Sequence, residues 1–150
     1  MNDLIQIIKV IDDNEVHELN QYADELQFEP SLVIDKGKGT RLDKSMRTSW
    51  GVSLNENDKI VKKLNDKLNQ ALEEYKKRLL EINYIYGYNP VPGGVNVRSW
   101  REGIQLLEYS GGQEYKMHQD VAFYKNHSAY GRVLSIILYL TNDFEGGRTI

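Results

Sequence analysis

The sequence has 150 residues, 40% hydrophobic and 27% charged, with a net charge of -3 and no cysteine. That is a globular composition with room for one domain, residues 1–150, and it excludes a disulfide framework, a thiolate zinc site and a cysteine nucleophile. No apolar run approaches the roughly 20 residues of a membrane span, and a mildly acidic chain lacks the basic face that a nucleic-acid partner requires, so a soluble, cytoplasmic protein is expected.

Leu4, Ile5, Ile7, Ile8, Val10 and Ile11 alternate as a short strand, and Asp12 or Asp13 can cap a helix, Asp13 to Leu26, whose Val16, Leu19, Tyr22, Ala23 and Leu26 recur at helical spacing. Ser31 to Asp35 is extended and leads into the glycine-rich loop Lys36-Gly-Lys-Gly-Thr40, which lacks the spacing of a phosphate-binding loop. From Asn57 to about Ile82 runs the strongest helix, with Ile60, Val61, Leu64, Leu68, Ala71, Leu72, Tyr75, Leu79 and Leu80 on one stripe. The stripe is wider than a coiled-coil seam, so one face is expected to be buried in the same domain. Glycines and prolines between Tyr84 and Gly94 end the helical period. Beyond Val95 the segments Ile104 to Tyr109, Gly112 to His118 and Arg132 to Leu140 are strand material. Helices first and antiparallel-type strands afterwards predict an α+β domain.

His118 and Asp120 carry the most chemistry. In extended backbone, residues two apart project from one face, so an imidazole and a carboxylate can meet on one metal ion. Iron(II) suits that mixed donor set, whose known form is two histidines and one carboxylate on one side of an octahedron. Along Arg132 to Leu140, alternation puts Val133, Ser135, Ile137 and Tyr139 on one face, a set that suits a polar ligand.

Three stretches, Met46-Arg-Thr-Ser-Trp-Gly-Val-Ser-Leu54, Glu102 to Asp120 and Arg132 to Asp143 followed by Glu145-Gly-Gly-Arg-Thr-Ile150, together resemble the iron(II)- and 2-oxoglutarate-dependent oxygenases, in the prolyl 4-hydroxylase branch. The resemblance implies a double-stranded β-helix, or jelly roll, with N-terminal supporting helices. It also implies a hydroxylase that uses iron(II), 2-oxoglutarate as cosubstrate and ascorbate as an accessory cofactor, and that acts on proline in a peptide or protein. His118 and Asp120 correspond to metal ligands and catalytic residues, Tyr109, Ser135 and Tyr139 to the 2-oxoglutarate pocket, and Arg47, Ser49, Glu102 and Tyr115 to the substrate side. Each of the last four has a plainer reading as surface charge, turn residue or packing. A small molecule or free amino acid as substrate, or a non-catalytic binding domain of the same fold, are the alternatives. The pattern departs from the family at its end, because no residue in the sequence fills the second histidine or the basic anchor for 2-oxoglutarate. His17 sits in the first helix and His127 in a loop. The expectation is therefore a barrel incomplete at its C-terminus, in a chain that is part of a longer polypeptide.

Overall fold

The first helix is started by a reciprocal pair of hydrogen bonds. Asp12 Oδ1 accepts from the Glu15 amide at 2.9 Å, and Glu15 Oε2 accepts from the Asp12 amide at 3.1 Å. This capping box satisfies two amide donors at the helix entry, and helix α1 then spans Asp13–Asp24. In the computed structural model the described residues are 5–35, 39–86, 102–118 and 134–146, with the backbone alone described at 35 and 80–86. They form two compact units, one of residues 1–19 and 55–103, the other of residues 20–54 and 104–150.

In the first unit, Asp58 and Asn55 prepare the start of helix α2, Lys59–Tyr86: the Asp58 carbonyl accepts from the Lys62 amide at 2.9 Å, and Asn55 Oδ1 accepts from the Asn57 amide at 3.1 Å. The predicted stripe is the buried face, with Val61 fully covered and Leu64, Leu68 and Leu79 nearly so, joined by Leu19 of α1. At the rim of this apolar seam, Lys67 and Lys63 lie 3.1 Å and 3.3 Å from Glu15 Oε1. The helix-start hydrogen bond from the Asp12 amide, followed by these lysines, lowers the Glu15 pKa to about 2. No helix among the described residues is long and apolar enough to cross a membrane.

The second unit holds strands β1 (Glu29–Pro30), β2 (Val33–Asp35), β3 (Gly39–Arg41), β4 (Trp50–Ser53) and β5 (Gln105–Glu108). One antiparallel sheet has the order β1-β4-β5, and β2 pairs with β3 in a separate antiparallel ladder. Pro30 sits in β1 at the sheet edge, where a missing amide donor is tolerated. The β4–β5 ladder runs from Ser53↔Gln105 to Trp50↔Glu108, is interrupted by a turn, and resumes as an isolated bridge, Arg47↔Tyr115. In that turn the Gln113 amide donates to the Ser110 carbonyl at 3.0 Å, and Gly112 has φ of 81°, the conformation that a type II turn needs at its third residue.

Three strand expectations differ from this structure. Residues 5–11 form no strand, and Ile5 and Ile7 are 80% and 94% exposed, since alternation gives an element only where a partner supplies the ladder. Gly112 to His118 is irregular apart from the bridge at Tyr115, because the turn and a bend at Met117 break the pleat. Of Arg132 to Leu140, residues 134–140 are irregular, and residues 132 and 133 lie outside the described residues. Leu134, Ile136, Ile137 and Tyr139 are exposed there, so neither face of the segment is covered as a central strand requires. The double-stranded β-helix is not assigned from these elements.

Candidate functional site

Buried polar groups are more informative than buried apolar ones, and in the second unit they converge. Arg47, Ser49 and Ser31 are at most 9% exposed, alongside Val33 and Leu54. Arg47 and Ser49 lie two apart on the approach to β4, where extended backbone turns both to one side. Arg47 Nε donates to Ser49 Oγ at 2.8 Å and a terminal guanidinium nitrogen donates to the Leu32 carbonyl at 3.4 Å. The Ser31 amide donates to the Ser49 carbonyl at 2.9 Å, which brings the Ser31 hydroxyl into the same buried region. That hydroxyl is buried and has no hydrogen-bond partner among the described residues.

The guanidinium carbon of Arg47 lies 4.5 Å from the centre of the Tyr115 ring, a cation over an aromatic face. The backbone holds this pair in register. The Thr48 amide donates to the Glu114 carbonyl at 2.9 Å, the Glu114 amide donates to Thr48 Oγ1 at 2.8 Å, and the Lys116 amide donates to the Met46 carbonyl at 2.9 Å. Tyr115 in turn stacks on His118, with ring centres 3.6 Å apart and planes within 17°. His118 Nδ1 is 2.7 Å from the Lys116 carbonyl. A carbonyl can only accept, so Nδ1 carries the hydrogen and, in the neutral ring, Nε2 carries the lone pair. An imidazole whose Nδ1–H is held by a carbonyl is the usual form of a metal-binding histidine. The donor chemistry of His118 therefore fits a divalent metal.

The structure thus brings together four of the residues singled out in the sequence: Arg47, Ser49, Tyr115 and His118. Asp120 lies outside the described residues. Among the described residues, no three histidine, aspartate or glutamate side chains gather as a metal site. Tyr109 follows β5 and is 45% exposed, and Ser135 and Tyr139 are exposed in the irregular segment, where Tyr139 stacks on Phe144 with centres 6.2 Å apart. Glu102 belongs to the first unit and is exposed. Three contributors had no sequence signal: the Lys116 carbonyl under His118, the Thr48 hydroxyl and the buried Ser31. The first is a backbone group, which every residue has, and the others are common residue types placed by long-range pairing.

Comparison with known proteins agrees on the family. The chain is 32% identical over 123 residues to probable prolyl 4-hydroxylase 8 of Arabidopsis thaliana and 30% identical over 125 residues to probable prolyl 4-hydroxylase 10 of the same plant, alignments that take in 80% and 82% of the chain. Prolyl 4-hydroxylase 5 of Arabidopsis thaliana is 28% identical over 122 residues, or 80% of the chain. The chain spans about a third of the length of these curated relatives, at 35%, 36% and 35%. No protein-family model and no solved structure matches it. These sequence similarities support the prolyl 4-hydroxylase branch of the iron(II)- and 2-oxoglutarate-dependent oxygenases as the family of this chain.

Proposed function

We propose that the protein is a 2-oxoglutarate-dependent hydroxylase acting on proline in a peptide or protein, built on a double-stranded β-helix. The observation that carries this reading is the continuous cluster Ser49, Arg47, Tyr115 and His118, which joins three family substrate-side residues to a family metal ligand through direct contacts. His118, through Nε2, and Asp120 would hold iron(II), and Tyr109, Ser135 and Tyr139 would face 2-oxoglutarate. When bound, the metal and cosubstrate supply the oxidising chemistry that no side chain can provide.

This chain's own residues bind and orient. The Lys116 carbonyl keeps the Nδ1 hydrogen in place and so keeps the Nε2 lone pair for the metal. Arg47, itself buried, holds its cation over the Tyr115 ring and so fixes that ring on the side where a peptide substrate would lie. Ser49 keeps the guanidinium from turning away.

The test is succinate formation by the protein with iron(II), 2-oxoglutarate, ascorbate and a panel of proline-containing peptides, with hydroxyproline read by mass spectrometry. Peptide-dependent succinate that disappears in His118→Ala and in Asp120→Ala supports the proposal. Turnover with free amino acids or small molecules alone would move the substrate class, and turnover that survives both substitutions would defeat the site.

A further inference from the structure

We infer that Tyr115 is a positioning residue, which sets the plane of the His118 imidazole before any metal arrives and so keeps it on the Lys116 carbonyl that fixes its tautomer. The inference rests on the reading of His118 as a metal ligand and adds to it a function for Tyr115 that is separate from contact with substrate.

His118 is exposed, and an exposed histidine ordinarily samples several rotamers and both neutral tautomers. Here two contacts act on different degrees of freedom. The hydrogen bond from Nδ1 to the Lys116 carbonyl at 2.7 Å fixes the direction of one ring edge. It leaves the ring free to tilt about that bond. The stack on Tyr115, at 3.6 Å and 17°, removes the tilt. A ligand whose plane is already set loses less freedom on binding a metal, and precision of this kind comes from the groups that support a ligand.

The support is anchored in progressively more buried structure. Tyr115 pairs through its backbone with Arg47 and carries the Arg47 guanidinium over its ring. Arg47 is 9% exposed and is tied to Ser49, which is 1% exposed. The Lys116 amide donates to the Met46 carbonyl at 2.9 Å, so the segment that offers its carbonyl to His118 is also held. An exposed imidazole is thereby fixed to a buried, hydrogen-bonded polar pair of the unit. The stack needs an aromatic face and not a hydroxyl, which separates this role from a hydrogen bond between Tyr115 and substrate.

The experiment compares the wild-type chain with Tyr115→Phe and Tyr115→Leu by nitrogen-15 NMR of the His118 ring, first without metal and then during titration with manganese(II), whose paramagnetic broadening also reports weak sites. Wild type and Tyr115→Phe are expected to show the Nδ1-protonated tautomer and the same broadening midpoint. Tyr115→Leu is expected to mix the tautomers and to need roughly two- to tenfold more manganese, the range an aromatic stack contributes. Unchanged amide spectra away from residues 114–118 establish that each variant is folded, and if Tyr115→Leu is not, the wild-type tautomer and its retention in Tyr115→Phe decide. A single tautomer and an unmoved midpoint in Tyr115→Leu would overturn the inference while leaving His118 as a ligand. Broadening that spares His118 in the wild type would overturn the functional reading and the inference together.

Discussion

Ser49→Ala is the sharpest test of the buried polar cluster, because it deletes one oxygen and almost no volume. Ser49 Oγ accepts from Arg47 Nε at 2.8 Å with the two residues 1% and 9% exposed, so water cannot readily replace the lost acceptor. A hydrogen bond to a charged group contributes about 1.5–3 kcal/mol, and stranding the donor in a buried place costs the full amount. With a urea slope of about 1–3 kcal/mol per molar, a loss of about 2 kcal/mol moves the midpoint by about 1 M. Urea unfolding followed by tryptophan fluorescence reads the change close to its source, since Trp50 begins β4 beside Ser49. Arg47→Met supplies the second edge of a double-mutant cycle. If the hydrogen bond is the mechanism, Ser49→Ala should cost little in the Arg47→Met background, giving a coupling of about 1–2 kcal/mol. Equal losses in both backgrounds would show that Ser49 matters for packing and not for holding the guanidinium.

Gly51→Ala would place a methyl group 2.9 Å from Ser31 Oγ and 3.0 Å from Leu107 Cδ2, so it should destabilise by about 1–3 kcal/mol, and urea unfolding with no loss would show that Ser31 and Leu107 yield freely. Leu64→Ala, at a site 4% exposed on α2, should cost about 2–5 kcal/mol, and a loss below about 1 kcal/mol would mean that this helix face is not a true core. Glu15 has a pKa lowered from 4.5 to about 2, so its contribution is fully present above about pH 4.5 and disappears as the pH falls towards 2. Circular dichroism during acid titration should show that dependence flattened in Glu15→Gln, and an unchanged profile would remove the carboxylate from the acid transition.

The helices were legible because their determinants are local. The stripe from Ile60 to Leu79 reports one buried face without reference to the rest of the chain, and Asp12 with Glu15 is a capping pair visible at a spacing of three. Strands depend on partners distant in sequence, and the same alternation that marks Ile104 to Tyr109, where β5 forms, also marks Leu4 to Ile11, whose described residues form none. β4 lies within the stretch Met46 to Leu54, whose residues carry no strand signal of their own. At four residues, it is defined by its register with β1 and β5 and not by its own composition.

The candidate site divides along the same line, and His118 shows why. In a continuous strand, residues 115 and 118 would point to opposite faces, so alternation would keep Tyr115 away from the imidazole. Their 3.6 Å stack exists because the backbone bends at Met117, itself 87% exposed, immediately after the bridge that fixes Tyr115 to Arg47. Arg47 and Ser49, two apart in extended chain, obey alternation and could be grouped from sequence alone. The direction of His118 could not, since it is set by the Met46 and Glu114 pairings some 70 residues apart in the chain, and by a bend whose only local marker is the turn at Gly112. The spacing of His118 to Asp120, together with the family resemblance, marks the residue itself. Its orientation depends on contacts that no spacing rule encodes, which is why substitution of the neighbour Tyr115, and not only of His118, is the informative perturbation.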